Sequence, residues 1–250
     1  MKIYSIFAAV LISFFLLSCS DSVDSDPENG NGNGDTDPPA ELELAFFWHF
    51  DVSLPNDTEL ETIDATFSAG TGTAFIEFRS ALAGYPNTGR DASMERRNRP
   101  TAINYRAEGN GNQSYEAVAD SMRAIQVRDP FLGNAGQNML IFHLPTTGYE
   151  NPVFSFAAMD EDAANGLRID YSVTDDGENW ITTGLSASEI EQDLITGEYL
   201  PYEVDFSGIN TTNNNPDFKI RIRFDVDDGT QNEDNRVTFN NFALDAVSIE

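Results

Sequence analysis

The chain is expected to fold as an all-β protein, a single β-sandwich with long loops and at most one or two short helices. Three observations lead there. Apolar and polar residues alternate with period two along much of the chain, turn signals separate the alternating runs, and helical periodicity is scarce. Alternation with period two puts one face of each strand on a core and the other in water.

Taken in order, the first run is Leu42–Phe50 (LELAFFWHF), followed by 73–79 (TAFIEFR). Residues 138–144 (NMLIFHL) and 153–158 (VFSFAA) come next, the latter with Phe154 and Phe156 on one face and Ser155 on the other. Residues 167–173 (LRIDYSV) and 218–224 (FKIRIRF) alternate cleanly. Residues 237–239 and 242–249 close the chain. Gly148, Asp176-Gly177, Gly208 and Asp228-Gly229 mark turns between runs. About eight to ten strands so separated imply a sandwich of jelly-roll type. The one helical candidate is 186–195 (SASEIEQDLI), with Ser186 or Ser188 as its cap and acids in the first turn. Residues 115–127 fit either helix or strand.

The N-terminus states an address. Lys2 precedes an apolar run from Ile3 to Leu17, and Ser18 stands before Cys19, the chain's only cysteine. This is the layout of a secretory signal, and the run is short for a membrane span, which needs ~20 apolar residues. Leu16-Leu17-Ser18-Cys19 resembles the bacterial lipobox. The resemblance implies that residues 1–18 are removed and that Cys19 carries acyl chains such as palmitate. More than one chain gives stable anchoring at ~0.8 kcal/mol per buried methylene. Residues 19–40 hold one aliphatic residue, Val23, among Asp, Asn, Gly and Ser. Such a segment cannot offset its ordering entropy and is expected to be a disordered acidic tether, with a coil span of roughly 25 Å. Its Ser-Asp-rich start resembles the export signal of Bacteroidetes surface lipoproteins, which implies an outer-membrane, outward-facing location. Residues 41–250 then form the sandwich, about 210 residues, enough for one sizeable core.

Composition narrows the partners. The net charge is -28, from 42 acids against 14 bases, and the only lysines are Lys2 and Lys219. Nucleic acid is excluded as a partner, because phosphate binding needs a positive footprint. An anionic bilayer repels the domain, so membrane contact is expected through the lipid alone. One cysteine leaves no disulfide and no zinc-cysteine site.

Two segments carry a further likeness. Phe142 to Phe156 (FHLPTTGYENPVFSF) passes from strand to strand through a Thr-Thr-Gly-Tyr turn, and Tyr171 to Trp180 (YSVTDDGENW) follows. Together they resemble secreted bacterial jelly-roll domains, including discoidin-like and carbohydrate-binding modules. Trp48-His49-Phe50-Asp51 and Phe242–Val247 fit the paired first and last strands of such domains. The hairpin has one residue more than the commonest form, at Asp175-Asp176-Gly177, and residues 81–113 do not align. The resemblance implies a sandwich that binds a polysaccharide or an outer-membrane protein. It also implies a structural calcium between the first and last strands, where Asp51 and Asp245 stand.

The residues themselves offer few chemistries. No nucleophile elbow, phosphate loop or HExxH motif is present, and His49 and His143 sit singly in apolar strands. Calcium wants six to eight oxygen ligands, and two loops are dense in them: 160–166, with Asp160 and Asp162, and 225–234, with Asp225 and Asp227. Solvated acidic turns account for the same loops. Half of the chain's arginines, Arg79, Arg90, Arg96, Arg97, Arg99 and Arg106, fall in one stretch with Tyr85 and Tyr105. Guanidinium forks match carboxylate and sulfate oxygens. Arg96, Arg97, Arg99 and Tyr105 are therefore candidate ligand contacts, the alternative being an internal ion-pair network that pins a long loop. Trp180 is a candidate sugar platform or a core residue; Trp48 is expected in the core. A non-catalytic, glycan- or partner-binding surface lipoprotein is the leading expectation. A structural or adhesive accessory domain and an extracellular hydrolase are the alternatives.

Overall fold

The computed structural model describes residues 41–89, 91–99, 123–176, 179–226 and 235–249. Fifteen strands are present among them: β1 Glu43–His49, β2 Thr62–Asp64, β3 Phe67–Ser68, β4 Phe75–Arg79, β5 Met94–Arg96, β6 Ile125–Arg128, β7 Leu132–Gly133, β8 Gly136–Gln137, β9 Met139–His143, β10 Tyr149–Glu161, β11 Gly166–Ser172, β12 Glu191–Asp193, β13 Leu200–Asp205, β14 Lys219–Asp225 and β15 Arg236–Ser248. They make two antiparallel sheets and a small β7–β8 hairpin. The all-β sandwich expected from the alternation is what the chain forms.

The first sheet runs β13-β10-β15-β1-β3. β15 is long enough to hold two partners end to end on one flank: residues 241–246 pair with β1 and 236–239 pair with β6, which in turn carries β5. β10 runs along the other flank of β15. The second sheet runs β12-β11-β14-β9-β4-β2.

Two features of β10 and β15 explain why the sequence shows them as shorter pieces. Asn151-Pro152 stand opposite the single residue Ala246. Proline lacks the N–H a ladder needs and is tolerated at a bulge, and Asn151 takes φ 52°, a conformation asparagine accepts. Asn240-Asn241 likewise stand opposite Ala157. What reads as a polar break between 239 and 242 is thus a bulge inside one strand.

The expected helix at 186–195 is cut to one turn, α1, Ala187–Ile190. Its Ser186 N–H donates to the Glu189 carboxylate at 2.6 Å, but the turn buries no residue. With no apolar stripe to dock, the chain goes extended at Glu191 and adds β12 to the edge of β11. β13 was not legible either. It is an edge strand with Pro201 in it, the position at which a sheet accepts proline.

The core is aromatic. Phe142 of β9 meets Phe154 of β10 at 4.9 Å, Phe242 of β15 at 4.7 Å and Trp48 of β1 at 6.0 Å between ring centroids. These four rings come from both sheets, and each is buried. Trp48 Nε1–H donates to the Ile63 carbonyl at 3.1 Å, tying β1 to β2 of the other sheet. Phe142→Ala is expected to lower unfolding free energy by about 3–5 kcal/mol. Urea unfolding of the variant checks this, and a loss below about 1 kcal/mol would contradict the central placement of this ring.

Candidate binding site

The first sheet carries the most unusual chemistry of the described residues on its outer face. Ile125 and Val127 of β6 and Val237 and Phe239 of β15 point to the core. The alternation therefore turns Gln126, Arg128, Arg236 and Thr238 outward. Register places Arg128 directly opposite Arg236, and Arg236 directly opposite Glu161 of β10. Like charges facing across a ladder are unfavourable, so acids are needed beside them. Glu161 meets Arg97 Nη2 at 2.6 Å and Arg236 Nε at 3.6 Å. Fully buried Glu95 lies 3.8 Å from Arg128 Nη1 and also accepts bonds from Ser93 and Gln126. Gln126 Oε1 accepts from Arg236 at 3.3 Å, closing the network.

Above this row opens a cleft of about 320 Å³, lined by Arg97, Arg99, Arg128, Arg236, Glu161, Asp57, Asn98 and Gln126. Four guanidiniums face two carboxylates there, in a chain whose net charge is -28. Arg99 is exposed and makes no ion pair among the described residues. The volume lies at the lower end of the range for small-ligand pockets, ~300–1,000 Å³.

Of the arginines expected to bind, Arg97 and Arg99 line this cleft, whereas Arg96 holds a loop. Its guanidinium donates to the Val52 carbonyl at 3.1 Å and to Asn98 Oδ1 at 3.2 Å. Tyr105, Arg90 and Arg106 lie outside the described residues. Trp180 belongs elsewhere. It stands at the outer face of the second sheet, with the Arg221 guanidinium carbon 4.3 Å from its ring centre. Arg221 is itself gripped two-pronged by Asp170, at 2.7 and 2.6 Å, and Asp170 also accepts from Arg223. Trp180 and the cleft are therefore on opposite faces of the sandwich, and they do not form one site. Arg128, Arg236, Glu161 and Gln126 were missed by sequence reasoning, because only strand register gathers them.

The candidate calcium ligands are dispersed. Asp51 and Asp245 fall at opposite ends of β1, since Asp245 pairs with Leu44 while Asp51 follows the last residues of that strand. Seven residues of strand separate Leu44 from Asp51, roughly 23 Å. Asp51 accepts the Ser53 N–H at 2.7 Å. Asp160 is buried and accepts the backbone N–H groups of Asp162, Ala163 and Ala164 and the Thr196 hydroxyl, so its two oxygens organise the 160–166 turn. Asp225 pairs with Arg168 at 3.1 Å. The two acidic loops do lie side by side, the Asn165 N–H donating to the Asp225 carbonyl and Asn235 Nδ2 to the Asp162 carbonyl. Among the described residues no three His, Cys, Asp or Glu side chains converge as a metal site. Asp227 lies outside the described residues, as does Cys19. No helix among the described residues is long and apolar enough to cross a membrane.

Both histidines face away from the cleft's chemistry. His49 is half-buried, and burial depresses its pKa against the opposing pull of Asp51. His143 stacks on Phe75 at 4.0 Å and bonds Glu77 at 2.9 Å through Nε2.

No protein-family model matches the chain, and no curated protein matches it. Among solved structures it is similar to the K2 cleaved adhesin domain of Lys-gingipain, at 9% identity over 80% of this chain and 99% of that one, with a TM-score of 0.40. It is also similar to BiXyn10A CBM1, at 9% identity over 81% of this chain and 97% of that one, TM-score 0.28. A putative sugar binding protein from Bacteroides thetaiotaomicron is similar at 11% identity over 51% of this chain and 77% of that one, TM-score 0.28. These likenesses are distant and carry no ligand over to this chain. The class that fold and site define is an antiparallel β-sandwich with a guanidinium-lined cleft on the outer face of one sheet.

The Glu77 carboxyl is held down to about 2 from its ordinary 4.5, first by the His143 hydrogen bond and then, against the cost of burial, by Arg79 at 2.7 Å. A depressed carboxyl stabilises the fold above its unfolded pKa, and that contribution disappears as pH falls from about 4.5 to about 2. Glu77 is half-exposed, so the effect is modest. Glu77→Gln is expected to flatten the fall in melting temperature between pH 5 and pH 2.5 relative to the parent. Parallel curves would show that this pair does not contribute to acid sensitivity.

Proposed function

We propose that this chain is a lipid-anchored, outward-facing surface domain that binds a glycan without transforming it, and that binding takes place in the guanidinium-lined cleft. Four arginines converging on one concave site of an acidic protein are the observation that carries the assignment. A solvated surface of this composition would scatter its few bases among its acids, whereas here strand register and Glu161 assemble them. Cys19, with the acidic segment behind it, supplies the anchor and the stand-off. The hydrolase alternative needs two free carboxylates flanking a bond. In the cleft these are Asp57 and Glu161, and Glu161 is instead occupied by Arg97 and Arg236. The cleft lining contains no serine, cysteine, lysine or histidine to serve as a nucleophile or imidazole base.

The experiment is a binding assay of the producing cells and the purified chain against a panel of polysaccharides. Arg99→Ala is expected to weaken binding at least fivefold with an unchanged melting temperature, because Arg99 is exposed and has no ion pair to lose. Trp180→Ala is expected to leave binding intact, and Cys19→Ser to move binding activity from cells to medium. A blank panel, or binding lost with Trp180 and kept without Arg99, would contradict the assignment.

A further inference from the structure

The charges of the cleft specify its ligand more narrowly. Resting on the assignment above, we propose that the cleft selects glycans bearing oxyanions, either uronate carboxylates or sulfate esters, and that neutral glycans are not its ligands.

Glu161 serves two guanidiniums at once, those of Arg97 and Arg236, with one negative charge. Glu95 sits 3.8 Å from Arg128, beyond hydrogen-bond distance. Asp57 lines the cleft, but its carboxylate accepts from Asn56 and Asn98 rather than from an arginine in the bonds above. Arg99 has no ionic partner among the described residues. The four guanidiniums thus outnumber the carboxylates paired to them, and Arg128 and Arg236 are held face to face by strand register. An added oxyanion between Arg99 and this pair relieves the repulsion and finds fork geometry suited to two-point bonding. Asn98 and Gln126 add amide groups for sugar hydroxyls.

The global charge does not veto an anionic ligand. At physiological salt the Debye length is ~8 Å, so acids on distant loops are screened while cleft arginines act at contact distance. Arg97 is held rigidly, being buried and bonded to Glu161 at 2.6 Å, which keeps the cleft shaped before the ligand arrives.

The test uses the purified full chain with polygalacturonate, a sulfated galactan and a neutral galactan, followed by titration calorimetry at two salt concentrations. Either or both acidic polymers are expected to bind, weakening as salt rises, and the neutral one is expected not to bind. Which acidic polymer binds tells carboxylate from sulfate. Arg99→Ala and Arg128→Gln should each cost about tenfold in affinity for the acidic polymer; Arg99→Ala cannot act by unfolding an exposed position. Equal binding of the neutral galactan would overturn the selectivity and leave the glycan-binding assignment standing. Undiminished binding of acidic polymer by both variants would overturn the cleft as its seat. Binding of none of the three would overturn this inference, and a blank on the wider panel as well would remove the assignment beneath it.

Discussion

The pairing of β10 with β15 is the constraint on which the other elements depend. Both strands are thirteen residues long and lie side by side from Tyr149↔Ser248 to Glu161↔Arg236. One register does two jobs. In its middle it sets Phe154 beside Leu244 and Phe156 beside Phe242, turning four apolar side chains into the core. At its end it sets Glu161 beside Arg236, which begins the cleft. The Asn240-Asn241 bulge lies between these stretches and shifts the ladder by one residue, so that Phe239 and Val237 face the core again beyond it. A slip of one residue would bury Arg236 and Thr238 and expose Phe239.

Magnitudes separate what holds the fold from what is available for binding. Each fully buried aromatic removes 150–250 Å² from water, about 4–6 kcal/mol as an upper bound at ~25 cal/mol per Å². Twelve of the largest fully buried side chains are Trp, Tyr or Phe, and they join both sheets. Surface ion pairs contribute ~0–1 kcal/mol each. The sandwich is therefore fixed by its rings, with only one cysteine in the chain and no disulfide to help. The cleft arginines are then positioned by a frame whose stability does not rest on them.

Much of the fold was legible because period-two alternation is a direct imprint of a half-buried sheet. β1, β4, β9, β11 and β14 each fall within a run that alternates, and β14 shows it most clearly: Ile220, Ile222 and Phe224 are buried between partly exposed Lys219, Arg221 and Arg223. The losses have physical causes. Bulges hid the length of β10 and β15, edge pairing hid β13, and a favourable capping pattern at Ser186 suggested a helix that had nothing to pack against. The site was half legible. The arginine stretch pointed to Arg97 and Arg99, but Arg128, Glu161 and Arg236 are distant in sequence and meet only through register. Trp180 illustrates the converse: an aromatic near a hairpin looked like a sugar platform, and Arg221 covers one of its faces.

An acidic chain that gathers arginines on one concave face keeps two properties apart. Its overall charge, with few lysines, discourages non-specific adhesion to membranes and nucleic acid, while a local cleft of opposite character gives selectivity. The central claim is that ligand sits among Arg97, Arg99, Arg128 and Arg236. The most direct measurement is NMR of the arginine Nε–Hε and tryptophan indole signals while an acidic oligosaccharide is added. The account predicts saturable shifts of Arg99, Arg128 and Arg236 signals with Trp180 unmoved. Shifts confined to Trp180 and Arg221 would place binding on the other sheet and contradict it.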